Sequence, residues 1–529
     1  VLCGYTRVKQ NIMQETTILW ADDEIDLLKP HVLFLKEKGY NVTTVTNGND
    51  AVDSFKNNYF DLVFLDENMP GLTGLETLSE IKNINNEVPI VLITKNEEEY
   101  LMEDAIGSKI DDYLIKPVNP KQILLTIKKL TENKRLVTEK TTMAYQQDFR
   151  TLGMTLNDNL SYQEWVDVYK KLIYWELELE RLEDEGMHEI LTLQKAEANV
   201  QFCKFIEKNY TKWIQNPDAA PTTSSQLFKK KVFPKLDGKG PLFFILIDNL
   251  RFDQFKIINP YISEYFRLEE EDTYYSILPT ATQYARNSIF SGLMPLDMEK
   301  RFPDMWQNDE DEGGKNLYEE KFLGDHLKRV LRKDIKYSYH KILNIDEGRS
   351  LNDSVNNLMN NELNVVVYNF VDMLSHARTD MQMIRELASD DAAYRSLTLS
   401  WFEHSPLFDL LKFLAQKQVR VIITTDHGTI RVKNPSKIIG DRNTNTNLRY
   451  KQGKNLNFNP KEVFHVRNPH DIMLPKLHVS SSFVFAKSDS YFVYPNNYNH
   501  FVNFYNETFQ HGGISLEEMI IPIVTYGPK

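Results

Sequence analysis

Cysteine is scarce in this chain: Cys3 and Cys203 are the two in 529 residues. Two thiols build neither the disulfide framework of a small secreted domain nor a cysteine zinc site, and the usage fits a reducing cytoplasm. Long apolar runs are missing too. The longest candidate, Pro241 to Ile247, falls far short of the roughly 18 residues a membrane span needs. It ends at Asp248 and reads as a buried strand. The N-terminus has no signal-peptide apolar block, so a cytoplasmic location is expected. Nor is positive charge in excess: 62 Lys and Arg against 75 Asp and Glu give a formal net charge of −13. Proteins that coat duplexes carry a basic surface, so no duplex DNA binding is expected. An acidic whole is still compatible with a small metal-lined pocket for nucleotides. Internal repeats, a helix-turn-helix and a phosphate-binding P-loop are absent as well.

What is present falls into three parts. The stretch before Met13 does not fit the strand-and-helix pattern after it and is expected to be a leader, 1–12. Over 13–135, apolar runs at Ile18–Trp20, Val42–Val45, Asp61–Leu65, Pro89–Ile93 and Asp112–Ile115 alternate with helical stretches. Five short strands spaced by helices predict an α/β domain, a parallel sheet covered on both faces. Over 136–235 the period changes to helical. Trp165, Val168, Leu172, Trp175, Leu179 and Leu182 form one stripe, and Ile190, Leu193, Val200 and Cys203 a second. This predicts a helical bundle connector, its aromatic stripe serving as core or a dimer seam. Asn216 to Ser225, rich in Pro, Ser, Thr and Ala, reads as a loop or hinge. Over 236–529 strands at Leu242–Ile247, Val365–Asn369 and Val421–Thr425 predict a second α/β domain. A polar, aromatic-rich stretch over about 430–510 reads as a cap insertion. Its Tyr and Phe between Tyr491 and Phe509 are assigned first to packing and second to base stacking.

Four of the five strand ends in 13–135 carry chemistry: Asp22 and Asp23, Asp66, Thr94, and Lys116. Parallel strands bring such ends to one rim. Each Asp alone could be a helix cap. Together, three carboxylates there call for a hard cation such as Mg2+. With it bound, Asp66 can attack a phosphoryl group whose oxygens Thr94 and Lys116 hold. The ordered set ADDE, LDENMPG, ITK and IKP resembles the receiver domain of two-component response regulators, a flavodoxin-like fold. That resemblance makes Asp66 the phosphoacceptor. It places Mg2+ on Asp22, Asp23, Asp66 and the backbone of Asn68, and makes Thr94 and Tyr113 the switch pair. It implies a sensor histidine kinase as partner.

A second set lies beyond the connector: Asp248, Thr280 in LPTATQYAR, Asp372 and His376 in VDMLSH, Asp426 and His427 in TTDHG, and His511 in HGGIS. Each has a plain structural alternative as a cap, a turn or a hydrogen-bonded pair. Jointly they suit zinc, which takes His nitrogen and carboxylate oxygen where cysteine is lacking. Six such ligands suit two ions, although manganese would accept the same set. His31, His326 and His404 lack a comparable setting and read as structural. The ordered motifs over about 236–529 resemble the alkaline phosphatase superfamily and, within it, the PglZ-type domain. The resemblance implies one zinc on Asp248, Thr280, Asp426 and His427, another on Asp372, His376 and His511, and Thr280 as nucleophile. Arg286 is a candidate phosphate contact. The whole combination resembles a group of Bacteroidetes response regulators that control type IX secretion. Members of that group are described as zinc-dependent phosphodiesterases acting on cyclic and linear oligonucleotides.

Two zinc ions facing three aspartates and an alkoxide come to about zero net charge, which favours a diester over a dianionic monoester. Phosphorylation at Asp66 would move Thr94 and Tyr113 and, through the connector, the output domain; a phosphorylation-dependent homodimer is expected. A second function class stays open, a signalling adaptor whose zinc domain docks a sigma factor or a secretion component.

Overall fold

The computed structural model describes residues 16–86, 88–95, 110–182, 185–238, 240–311, 313–441 and 444–529. The expected leader at 1–12 and Cys3 lie outside them. The chain forms two compact units, Val1–Gln146 and Gln147–Lys529. The division falls inside the helix Asn133–Thr155.

The first unit is a parallel sheet of β1 (Thr17–Ala21), β2 (Asn41–Val45), β3 (Leu62–Asp66), β4 (Ile90–Thr94) and β5 (Asp112–Ile115), in the order β2-β1-β3-β4-β5. β3 and β4 are buried at every position, because helices cover both faces and leave no wet side. Alternate residues feed two cores. Leu19, Val63 and Leu65 join one, and Ile18, Trp20 and Phe64 the other. The helix Gly74–Ile84 starts at a capping box of Thr73 and Glu76, which satisfies two of its otherwise free N–H groups.

In the second unit the helix Tyr162–Arg181 also opens with a capping box, Ser161 with Glu164, and buries Trp165, Val168, Leu172, Trp175 and Leu179. The stripe is core. The next helix, Glu185–Gln215, differs from expectation. Ile190, Leu193 and Val200 are 38%, 68% and 47% exposed, and the buried face is Leu191, Ala198, Asn199, Phe202, Cys203 and Ile206. A small residue and a polar one sit in the middle of that face, so apolar periodicity misplaces it. A buried ion network fixes both helices to the α/β domain. Arg395 bridges Glu176 and Asp253 at 2.8 Å each, Lys195 reaches Glu176 at 2.5 Å, and Arg251 holds Asp253 and Asp391. The segment expected as a loop or hinge is a packed loop: Thr223 bridges to Tyr275, and Ser224 Oγ accepts the Ile277 N–H at 3.1 Å.

The central sheet holds β6 (Leu242–Ile247), β7 (Phe266–Tyr275), β8 (Tyr337–Ile342), β9 (Leu363–Tyr368), β10 (Arg420–Thr424) and the last strand, β19 (Ile520–Pro528). Their order is β7-β19-β10-β6-β9-β8. β6 pairs in parallel with β9 and β10, and all six of its residues are buried. β19 runs antiparallel between β10 and β7. The cap contributes β11 (Ile430–Arg431), β12 (Asn434–Ile439), β13 (Tyr450–Gly453), β14 (Asn457–Phe458), β15 (Val463–Val466), β16 (Ser482–Ala486), β17 (Ser490–Val493) and β18 (Phe509–Gln510). They form small sheets ordered β14-β12-β17, β13-β16-β15 and β11-β18. Tyr498, Phe501 and Tyr505 pack on Ile430, Val432, Tyr491 and Val493, so packing is the main role of that aromatic stretch. No described helix is long and apolar enough to cross a membrane.

Candidate active site

The carboxyl ends of β6, β9 and β10 lie side by side in the sheet, and each is followed by groups of the second set. Asp248 succeeds β6, and its N–H donates to Tyr368 O at 2.8 Å. Asp372 and His376 lie on the helix Phe370–Asp380 after β9. Asp426 and His427 follow β10, and His511 follows β18. The structure gathers them into two groups, Asp248–Asp426–His427 and Asp372–His376–His511, each with its ligand atoms within 4.8 Å of one another. Within the second group, Nε2 of His376 and of His511 lie 3.6 and 3.7 Å from the two Asp372 oxygens. The His427 and His511 rings stack at 4.3 Å, bringing the groups together.

The ring contacts fix tautomers. His427 Nδ1 faces Gly428 O at 3.1 Å and His511 Nδ1 faces Thr280 O at 3.3 Å. A carbonyl only accepts, so each Nδ1 carries the proton and each Nε2 offers its lone pair inward. Burial, followed by the neighbouring His427 and His376, holds His511 well below the usual histidine range; burial also lowers His427. Burial and then the neighbouring Asp248 push Asp372 up to about 6 and Asp426 well above the carboxylate range. Asp426 Oδ2 is buried without a hydrogen bond from the described residues. Facing carboxylates, an orphaned carboxylate oxygen and neutral imidazoles with inward lone pairs fit a pair of cations.

The structure corrects the place of the threonine. Thr280 is fully buried; its hydroxyl donates to Gly513 O at 2.8 Å and accepts the Gly512 N–H at 3.1 Å. Those bonds turn it onto the backbone after His511 rather than toward Asp248, Asp426 and His427. Thr282 is the residue brought to that group: Oγ1 lies 3.0 Å from His427 Nε2 and 3.5 Å from Asp248 Oδ1. It is the first residue of the helix Thr282–Ser291, where free N–H groups and the helix dipole favour an anion. A second correction concerns Arg286. It is buried and bridges Asp248 Oδ2 and Glu319 Oε1, each at 2.5 Å. It therefore aims Asp248 and is not placed as a phosphate contact.

Asn249 is a site residue that motif reading passed over. Its φ of 64° is left-handed, a conformation Asn tolerates. Its N–H donates to Asp426 Oδ1 at 3.3 Å, while Nδ2 donates to Asp372 Oδ1 at 3.3 Å and Ser375 Oγ at 3.2 Å. One residue thus spans both groups; the only signal was its place after the strand-end aspartate. A cavity of about 850 Å³ opens over the groups, with Thr282, His376 and His511 below and Asn447, Tyr450 and Tyr505 of the cap above. Gly512 has φ 119°, and a Cβ there would meet the Tyr450 ring at 2.6 Å, so glycine lets the cap approach the two ligand groups closely.

In the first unit, the described rim brings Asp22, Asp23 and Asp66 within 4.8 Å. Lys116 Nζ lies 2.9 Å from Asp66 and 3.0 Å from Asp22. Burial raises Asp66 to about 6 against the pull of the Lys116 hydrogen bond, with Asp22 adding to the rise. Three crowded carboxylates beside one ammonium fit a divalent cation. Thr94 Oγ1 donates to Glu67, Asn68 is exposed, and Tyr113 is 42% exposed. His31, His326 and His404 each engage a backbone carbonyl, of Val118, Phe290 and Ser400 respectively.

These features define a class: a receiver joined through a helical linker to an alkaline phosphatase-like domain. Comparison with known families agrees. The response regulator receiver domain matches residues 18–128, the PorX response regulator linker domain 135–214, and the BREX system PglZ alkaline phosphatase-like domain 227–526. The last match covers more than half of the chain, and the chain belongs to that PglZ family; the order of the three domains is a PorX-like architecture. Among curated proteins, the transcriptional regulatory protein ResD of Bacillus subtilis is 31% identical over 116 residues, 22% of this chain and 48% of that protein. The response regulator SaeR of Staphylococcus aureus is 32% identical over 115 residues, 22% of this chain and 50% of that protein. The chain spans half or less of the length of these relatives. Among solved structures, a two-component response regulator from Clostridium difficile is 31% identical, covering 22% of this chain and 95% of that one with a TM-score of 0.21. A CheY-like receiver from Methanospirillum hungatei is 23% identical, covering 23% and 96% with a TM-score of 0.22.

Proposed function

We propose that this chain is a response regulator, phosphorylated on Asp66 by a sensor histidine kinase, whose output domain is a zinc phosphodiesterase. The substrates are cyclic and linear oligonucleotides, and the regulated process is type IX secretion, through a sigma factor or a secretion component. The observation that carries the reading is Thr282 at a helix N-terminus, its hydroxyl on His427 and Asp248 beside two three-ligand groups. Asp248, Asp426 and His427, with the Thr282 oxygen, would hold one zinc; Asp372, His376 and His511 would hold the other. In the receiver, Asp22, Asp23, Asp66 and the Asn68 carbonyl would hold Mg2+.

When bound, the two zinc ions would neutralise the facing carboxylates and make the hydroxyl easier to ionise. The Thr282 Oγ1–P bond forms in line as the P–O bond to the leaving alcohol breaks. The alcohol takes up a proton, and the threonine hydroxyl loses one. Water then cleaves the phosphothreonine, giving a phosphomonoester and the restored hydroxyl. Arg286 with Glu319 fixes Asp248, and Asn249 fixes the spacing of Asp426 and Asp372. The near-neutral charge of the loaded site favours a singly charged diester.

The test is hydrolysis of a panel of cyclic and linear oligonucleotides by zinc-loaded protein beside its Thr282→Val variant. Cleavage that is lost in the variant supports the reading. Absence of cleavage with two zinc ions per chain refutes it and leaves the domain as a docking platform.

A further inference from the structure

The linker helix Glu185–Gln215 does more than connect. Asn199, Cys203 and Tyr210, four and seven residues apart, share one buried face. Each bonds the backbone of a segment that carries a site residue. Asn199 Oδ1 accepts the Leu516 N–H at 2.8 Å, and its Nδ2 donates to Glu517 Oε2 at 3.0 Å. Cys203 Sγ donates to Ile514 O at 3.3 Å and accepts the Ser488 N–H at 3.2 Å. The Tyr210 hydroxyl accepts the Leu278 N–H at 2.7 Å. Ile514 to Glu517 closely follow His511, and Leu278 lies four residues before Thr282.

The two gripped segments are also tied to each other. Thr280 bonds Gly512 and Gly513 through its hydroxyl, and its carbonyl accepts from His511 Nδ1. Buried side-chain hydrogen bonds are directional, and losing one strands its partners. Groups that orient ligands from outside tune metal affinity.

We infer that the Asn199–Cys203–Tyr210 face is the control contact of the metal site. By gripping the His511 and Thr282 segments, it sets how well the Asp372–His376–His511 group closes on its ion. A displacement of the linker helix then acts first on that ion. This inference rests on the proposed dinuclear site and adds its regulation. The face belongs to the linker, so the catalytic groups are held partly from outside their own α/β domain.

The test is calorimetric titration of the metal-stripped full chain with Zn2+ alone. Wild type is expected to take two ions. Asn199→Asp keeps the acceptor for Leu516 and sets a carboxylate against Glu517. One of the two ions should then bind about 10–100-fold more weakly, the other being retained, as disturbed outer partners do. The paired change Asn199→Asp with Glu517→Gln returns a donor to that contact and should recover most of the affinity. A general loss of stability would weaken both ions together and would not respond to the swap. Cys203→Ala, which removes the sulfur contacts alone, should weaken the same ion by about threefold or more; it decides the matter if Asn199→Asp fails to fold. Wild-type affinity for both ions in Cys203→Ala and in a folded Asn199→Asp overturns the inference. So does equal weakening of both ions. A wild-type chain that takes up no Zn2+ instead refutes the metal site itself.

Discussion

Valine at Thr282 and valine at Thr280 remove the same hydroxyl two residues apart, and the structure assigns them opposite consequences. The Thr280 hydroxyl joins Gly512 N–H to Gly513 O in a fully buried setting. Valine there strands one buried donor and one buried acceptor. At about 1–3 kcal/mol for each unpaired group, the fold should lose about 2–6 kcal/mol. Turnover should fall about 10–100-fold, through the looser seat of His511. The Thr282 hydroxyl faces the cavity and contacts two side chains, His427 and Asp248. Valine there should change stability by less than about 1 kcal/mol. If Thr282 is the nucleophile, turnover should fall at least about 1,000-fold, the scale on which lost nucleophiles are measured. The assay pairs thermal melting with initial rates on a dinucleotide substrate, zinc content being measured in each variant. A zinc-replete Thr282→Val enzyme that still turns over, beside a folded and inactive Thr280→Val enzyme, refutes the assignment.

Arg286→Met leaves Asp248 and Glu319 facing each other without their buried cation. It should cost about 3–5 kcal/mol in denaturant unfolding of the metal-free protein, and an unchanged midpoint would contradict the bridge. Asn249→Gly keeps the left-handed backbone and removes the carboxamide that reaches Asp372; kcat should drop about 10–100-fold with KM little changed. Lys451, buried in the cap with its ammonium on Asn445 O, is lowered by burial to about 7. A lysine with a depressed folded value suffers its burial cost in full below pH 7 and sheds it as pH rises toward the unfolded value near 10.5. Lys451→Met should therefore stabilise the protein most near pH 6. Its advantage should shrink by about 2 kcal/mol between pH 7 and pH 9, and a pH-independent difference would show that the ammonium is not the cause. Light scattering with an acyl-phosphate mimic should show a mass increase that Asp66→Asn abolishes, and equal mass with and without the mimic would count against phosphorylation-dependent dimerisation.

The receiver was legible because its chemistry and its fold share the same residues. Four of its five apolar runs end at a candidate site group, so Asp66 and Lys116 are marked by the strands that deliver them. β6, β9 and β10 were legible for the same reason. The inner face of the helix Glu185–Gln215 was not. Ala198 and Asn199 sit on it while Leu193 and Val200 face outward, because the face is chosen by hydrogen bonds to Ile514–Glu517 as much as by burial. Residues some 300 positions away in sequence set that choice, and a local period does not contain them. The stretch over Asn216–Ser225 is a loop, one of the two alternatives its composition offered, but a packed one. Its composition also suits a hinge, yet Thr222, Thr223 and Ser224 are consumed by contacts with β7 and Ile277.

The threonine shows where motif reading stops. LPTATQYAR offers two hydroxyls, and spacing along the chain does not rank them. What ranks them is the start of the helix. Thr280 lies before it in a tight turn closed by the Ala281 N–H on Pro279 O at 2.8 Å, so the two hydroxyls are not held on one face. Thr280 turns to the Gly512–Gly513 backbone, and Thr282, the first residue inside the helix, turns to His427. The alternative partner of Thr280 is itself set by a long-range feature, the close approach of the cap, which requires glycine at 512. A glycine pair after a histidine therefore carried two messages. It pointed to His511 as a candidate ligand, which the motif offered, and it holds the Thr280 hydroxyl on the backbone, which the packing shows.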